Sequence, residues 1–162
     1  MSLLFETKAK FLEGEAISTN IAAHKNFPIA AISSYNTNGG TVTIFDTDSG
    51  EPLKNVTFPN HPVSQTTSLC FHPSKQLLLT GWENGEILVW LENKREFQPI
   101  QGAGYHKSPI MLIEFSEQGG RLVTADSVSI FIEFLCMSLV LYLSHKSFLI
   151  INYYEVNLIT NN

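Results

Sequence analysis

A pattern that recurs about every 45 residues constrains this chain most. A unit of that length, built from short strands, cannot bury both of its own faces. The clearest copy runs from Thr66 to Ile100. Thr66 to Phe71 alternates as a short strand and ends in Phe71-His72-Pro73. Leu77 to Thr80 reads as a second strand, and Glu86 to Trp90 as a third. Between them Asn84-Gly85 supplies residues that accept the positive φ of a tight hairpin. Phe97 to Ile100 is a candidate fourth strand.

The same pieces return on either side. Downstream, Pro109 to Phe115 reads as a strand, Phe115 stands 44 positions after Phe71, and Leu122-Val123-Thr124 takes the place of Leu78-Leu79-Thr80. His106 follows His61 by 45 positions. Upstream, Ala23-His24 matches Phe71-His72 and Ile29 to Ile32 is the next strand. Gly40 to Phe45 matches Gly85 to Trp90, after an Asn/Gly-rich tip from Ser34 to Gly40 that reads as longer. Short strands separated by turns at this period predict an all-β chain, a partial β-propeller of about two to three blades. Such an array is open, since propellers close with four to eight blades.

At His61 and from Leu77 to Trp90 the chain resembles the WD-repeat family. That family's pattern is a His near the blade entry, a small-residue strand, an Asp-bearing turn and a Trp closing the third strand. His61, Thr80, Asn84 and Trp90 fall at those places, with His106 as the next blade's His. The resemblance implies a hydrogen-bonded set that pins turn to strands. Asn84 stands for the usual Asp, and Leu91 for the Asp after the Trp. Phe71-His72-Pro73, Gly81-Trp82-Glu83-Asn84-Gly85-Glu86 and Ala23 to Pro28 narrow the resemblance to the intraflagellar transport protein 140 family, over roughly Ala16 to Ser127. It implies a non-enzymatic protein-interaction scaffold, with other intraflagellar transport complex A subunits as partners. The implied roles are retrograde ciliary transport and cilium assembly, in the cytoplasm, the cilium and the ciliary base. Trp82 is unusual at its place and has two readings, an exposed interface anchor or a residue packed between blades.

All ten Gly and all seven Pro precede residue 121, and residues 127–162 hold 22 apolar residues out of 36. A boundary is therefore expected at Ser127, with 1–126 as the partial propeller and 127–162 as an apolar tail outside the family pattern. The tail has several readings: a helix or strand pair covering the open edge, read-through in a truncated, non-functional gene product, or a membrane anchor with a cytoplasmic β region. For the anchor, Phe134 to Ser144 is short for a span, and Glu133, His145 and Lys146 flank it.

Little else points to chemistry. Net charge is −5 without clustered Lys or Arg, which argues against nucleic acid. Met1 to Glu15 lacks the apolar core of a signal peptide. Cys70 and Cys136 sit in apolar runs and read as core thiols. The five His show no metal-ligand spacing, and Gly102-Ala103-Gly104 lacks the third Gly of a phosphate loop. No catalytic residue, cofactor or metal is expected.

Overall fold

The computed structural model describes residues 17–54, 63–92, 97–100, 106–134 and 148–152. Three antiparallel sheets follow one another along the chain. The first contains β1 (Ile17–Ala23), β2 (Ile29–Asn36) and β3 (Gly39–Asp46). The second contains β4 (Thr66–Phe71), β5 (Leu77–Trp82), β6 (Ile87–Leu91) and β7 (Gln98–Pro99). The third contains β8 (Leu112–Phe115), β9 (Arg121–Ala125), β10 (Ser129–Phe134) and β11 (Phe148–Asn152). Each strand pairs with the next in sequence, as in the blade of a propeller. The expected all-β partial propeller is the observed fold.

The register confirms the repeat. Trp90 faces Leu78 across the second blade, and Phe45 faces Ala30 at the matching place in the first. The tip of the first blade differs from the expectation. β2 and β3 run to the Asn36–Gly39 pair, leaving a two-residue turn rather than a longer loop. Gly39 adopts φ 115°, and the Asn36 side chain accepts the Asn38 amide at 2.8 Å. A tight two-residue turn of this kind matches the strand twist. β8 begins later than Pro109 because the chain is first held at the blade boundary. There Ile110 N donates to Trp82 O at 3.2 Å.

The sheet also runs on past the boundary expected at Ser127. β10 pairs with β9 from Ile130–Ala125 to Phe134–Arg121, and β11 pairs with β10. The described part of the tail is thus a strand pair that extends the third blade, rather than a helix. Its Ile, Phe and Leu residues suit a strand as well as any apolar run.

Two apolar clusters lie between the sheets. Ile29, Ala31, Val42 and Ile44 of the first blade pack on Leu78, Trp82, Leu88 and Trp90 of the second. The second blade's other face sets Leu77, Leu79 and Ile87 against Ile110, Ile113 and Leu122 of the third. Leu77 and Leu78 therefore serve different clusters, as period-2 alternation requires. Every described blade–blade joint is a buried apolar layer, and the polar chemistry of the chain is arranged around these joints.

Candidate functional site: the joints between blades

Trp82 decides the first joint. It ends β5, is fully buried, and sits over Gly40 of the first blade. A Cβ on Gly40 would lie 2.6 Å from the Trp82 ring, so this close approach needs glycine. The indole Nε1–H donates to Thr80 Oγ1 at 2.9 Å, and the Thr80 hydroxyl donates to Leu88 O at 3.4 Å. Of the two readings of Trp82, the structure selects packing between blades. An exposed interface anchor is excluded, because the side chain has no accessible surface.

Of the hydrogen-bonded set expected at His61, Thr80, Asn84 and Trp90, the described members Thr80, Asn84 and Trp90 share no side-chain hydrogen bond with one another. Asn84 lies on the exposed turn, where its amide contacts Glu86 Oε2 at 2.9 Å and its Oδ1 accepts Glu86 N at 3.1 Å. Trp90 is buried, yet its Nε1 has no hydrogen-bond partner among the described residues. The Thr80 hydroxyl is engaged by Trp82 instead. His61 lies outside the described residues.

The third blade carries a fuller set. His106 Nε2 is 2.8 Å from Thr124 Oγ1, and His106 Nδ1 is 3.1 Å from Asp126 Oδ2. Asp126 also accepts Lys107 N at 3.2 Å and Val128 N at 2.8 Å. All three side chains are buried. His106 is thus held in a buried polar set, and Thr124 and Asp126 are the partners that sequence reasoning missed. The available signal was spacing: Thr124-Ala125-Asp126 aligns with Thr80-Gly81-Trp82, so Trp82 occupies the place of Asp126.

A second repeated device crosses both joints. His24 and His72 follow the last residues of β1 and β4. His24 Nδ1 accepts Asn26 N at 2.9 Å and Phe27 N at 3.2 Å, and its Nε2 reaches Lys75 O in the next blade at 3.0 Å. His72 Nδ1 accepts Ser74 N at 3.1 Å, and the ring hydrogen-bonds the Gly119 backbone of the third blade. Each ring also packs on the next blade's Phe, His24 on Phe71 at 5.3 Å and His72 on Phe115 at 4.9 Å. Gly119 has φ 71°, and a Cβ there would collide with the His72 ring. Burial lowers the affinity of His72 for a proton, and the nearby Lys75 charge acts in the same direction. In the third blade Ser116 takes the His place, its Oγ accepting Arg121 N at 3.0 Å. Cys70 is half-buried at the second joint, and burial pushes its thiol up from the ordinary range.

These joints are those of a blade stack, and the family model described as the IFT140 first beta-propeller matches residues 2–134. The chain belongs to that family. The match to the IFT140 first propeller runs eight residues past Asp126, to the end of β10, in line with the continuous third sheet. Among solved structures, the computationally designed Ika8 protein shares 22% identity at a TM-score of 0.53, over 74% of this chain and 34% of that one. The computationally designed Ika4 protein gives the same identity and TM-score, over 74% of this chain and 66% of its own. At this identity the likeness concerns the fold alone. The chain spans about a third of the first designed protein's length. Among the described residues, no group of three His, Cys, Asp or Glu is placed to hold a metal ion, and no helix is long and apolar enough to cross a membrane.

Proposed function

We propose that this chain is a non-enzymatic interaction scaffold that acts with other subunits of intraflagellar transport complex A. Its setting in this reading is retrograde ciliary transport and cilium assembly, in the cytoplasm, the ciliary base and the cilium. The observation that carries the reading is the family match over residues 2–134, laid on three consecutive blades with buried joints. A propeller with such joints presents rigid turns and strand edges to partners, which suits protein recognition better than chemistry. Residues that sequence reasoning set apart, Thr80, Trp82, Trp90 and His106, serve that rigidity in this reading rather than partner contact.

The test is co-purification of the tagged full chain with complex A subunits from ciliated cells, together with its localisation. Recovery of those subunits and enrichment at the ciliary base support the reading. Both should be lost in Trp82→Ala, which opens the first joint. A chain that folds, as judged by its circular dichroism, yet recovers no complex A subunit contradicts it.

A further inference from the structure

The two histidines that cross the joints have a fixed chemistry. A ring nitrogen that accepts a backbone N–H carries no proton of its own. His72 Nδ1 accepts from Ser74 N at 3.1 Å, so the neutral ring holds its proton on Nε2, on the side of the Gly119 backbone. His24 repeats this arrangement one blade earlier, with Nδ1 accepting two amides and Nε2 at Lys75 O. A second proton on His72 would go to Nδ1 and meet the Ser74 N–H head-on. The turn would lose its acceptor, and the ring could no longer stay buried against Phe115 at 4.9 Å and Gly119.

We propose that the joint between the second and third blades is an acid-labile latch, held by the neutral His72 ring and released when that ring takes up a second proton. No partner is needed for the latch to act, because the proton is its only ligand. The groups around His72 favour release over retention of the imidazolium. Positive charge on Lys75 of its own turn, or on His24 of the first blade, opposes a further charge there, while the third blade presents the Phe115 ring and the Gly119 backbone. Among the described residues, the Gly119 backbone hydrogen bond works the other way. Burial and these charges place the proton affinity of the latched ring below that of a free imidazole, whose usual value is 6.5. The open form therefore binds the proton first. The latch is complete above the usual imidazole range and weakens as pH falls through it.

The test uses the full chain labelled with nitrogen-15, followed from about pH 7.5 to pH 5.5, where imidazoles titrate. The expected result at the upper end is a His72 ring protonated on Nε2 only. On acidification the Ser74 amide should lose protection from hydrogen exchange, by up to about tenfold per pH unit below the free-imidazole value, beyond the intrinsic effect of pH. His72→Asn keeps an acceptor for Ser74 without a titrating ring, and its Ser74 protection should not depend on pH. A His72 ring protonated on Nδ1, or a Ser74 protection in the parent chain that stays level across the range, overturns the proposal whether or not the variant folds.

Discussion

The two joints of this stack solve the same problem with different chemistry. Between the second and third blades, the buried polar set is His106, Thr124 and Asp126, a pairing of groups that can carry charge. Between the first and second, the position of Asp126 is taken by Trp82, which satisfies Thr80 through a neutral indole N–H at 2.9 Å. A buried polar set that includes a carboxylate is specific but costly to desolvate, and an aromatic of suitable shape replaces it with apolar area. The contrast teaches that the structural core of one blade need not reuse the residues of the next, provided the threonine on the central strand finds a partner. It also explains why the two joints should respond differently to substitution.

The largest expected effect is at the aromatic joint. Trp82→Ala should destabilise the chain by about 3–5 kcal/mol, the usual range for a buried aromatic, and Trp90→Ala by a similar amount. Urea denaturation of the full chain measures this, and coincident midpoints with the parent would show that neither indole is buried. Next comes the polar joint. Asp126→Ala removes the acceptor of Lys107 N and Val128 N and the partner of His106, so about 2–3 kcal/mol is expected. A loss as small as that of a surface substitution would mean that this set is solvated.

Trp82→Phe sharpens the comparison further. It keeps most of the apolar area but deletes the donor to Thr80 and part of the ring, so an intermediate loss of about 1–3 kcal/mol is expected by the same denaturation measurement. If Trp82→Phe costs as much as Trp82→Ala, the hydrogen bond rather than the apolar area governs that joint. The smallest effect belongs to Asn84→Ala. An exposed turn side chain whose bonds among the described residues are to Glu86 should change stability by no more than about 0.5 kcal/mol. A large loss there would restore Asn84 to the structural role that the WD pattern implied.

Much of the fold was legible because it rests on local pattern. The Phe71/Phe115 and Phe45/Trp90 spacings, the Asn84-Gly85 turn and the alternation from Thr66 to Phe71 each report strand or register directly. The site was less legible because it depends on which residue fills a position across a joint. One residue of turn length separates the blades: Gly81 pairs with Ile87, whereas Ala125 pairs with Ile130. That difference places Asp126 at the start of its turn and leaves Asn84 at the exposed tip. Trp82 stood out as unusual, but its burial depends on Gly40, 42 positions earlier in the chain. The latch was half visible in the match of Ala23-His24 to Phe71-His72. Its other half, the bare backbone at Gly119, carries no side-chain signal. β10 and β11 were obscured for a different reason. An apolar run without Gly or Pro does not declare whether it is helix or strand.

The two tryptophans allow one direct test of the substitution that distinguishes the joints. In the nitrogen-15 spectrum of the full chain, their indole N–H groups give two separate signals. Thr80→Val removes the hydroxyl while preserving the shape of the side chain. The structure requires that this change move the Trp82 indole signal and speed its hydrogen exchange, while the Trp90 signal stays in place. A response confined to Trp90 would put the usual WD arrangement at this joint and contradict the exchange of a His–Thr–Asp set for an indole.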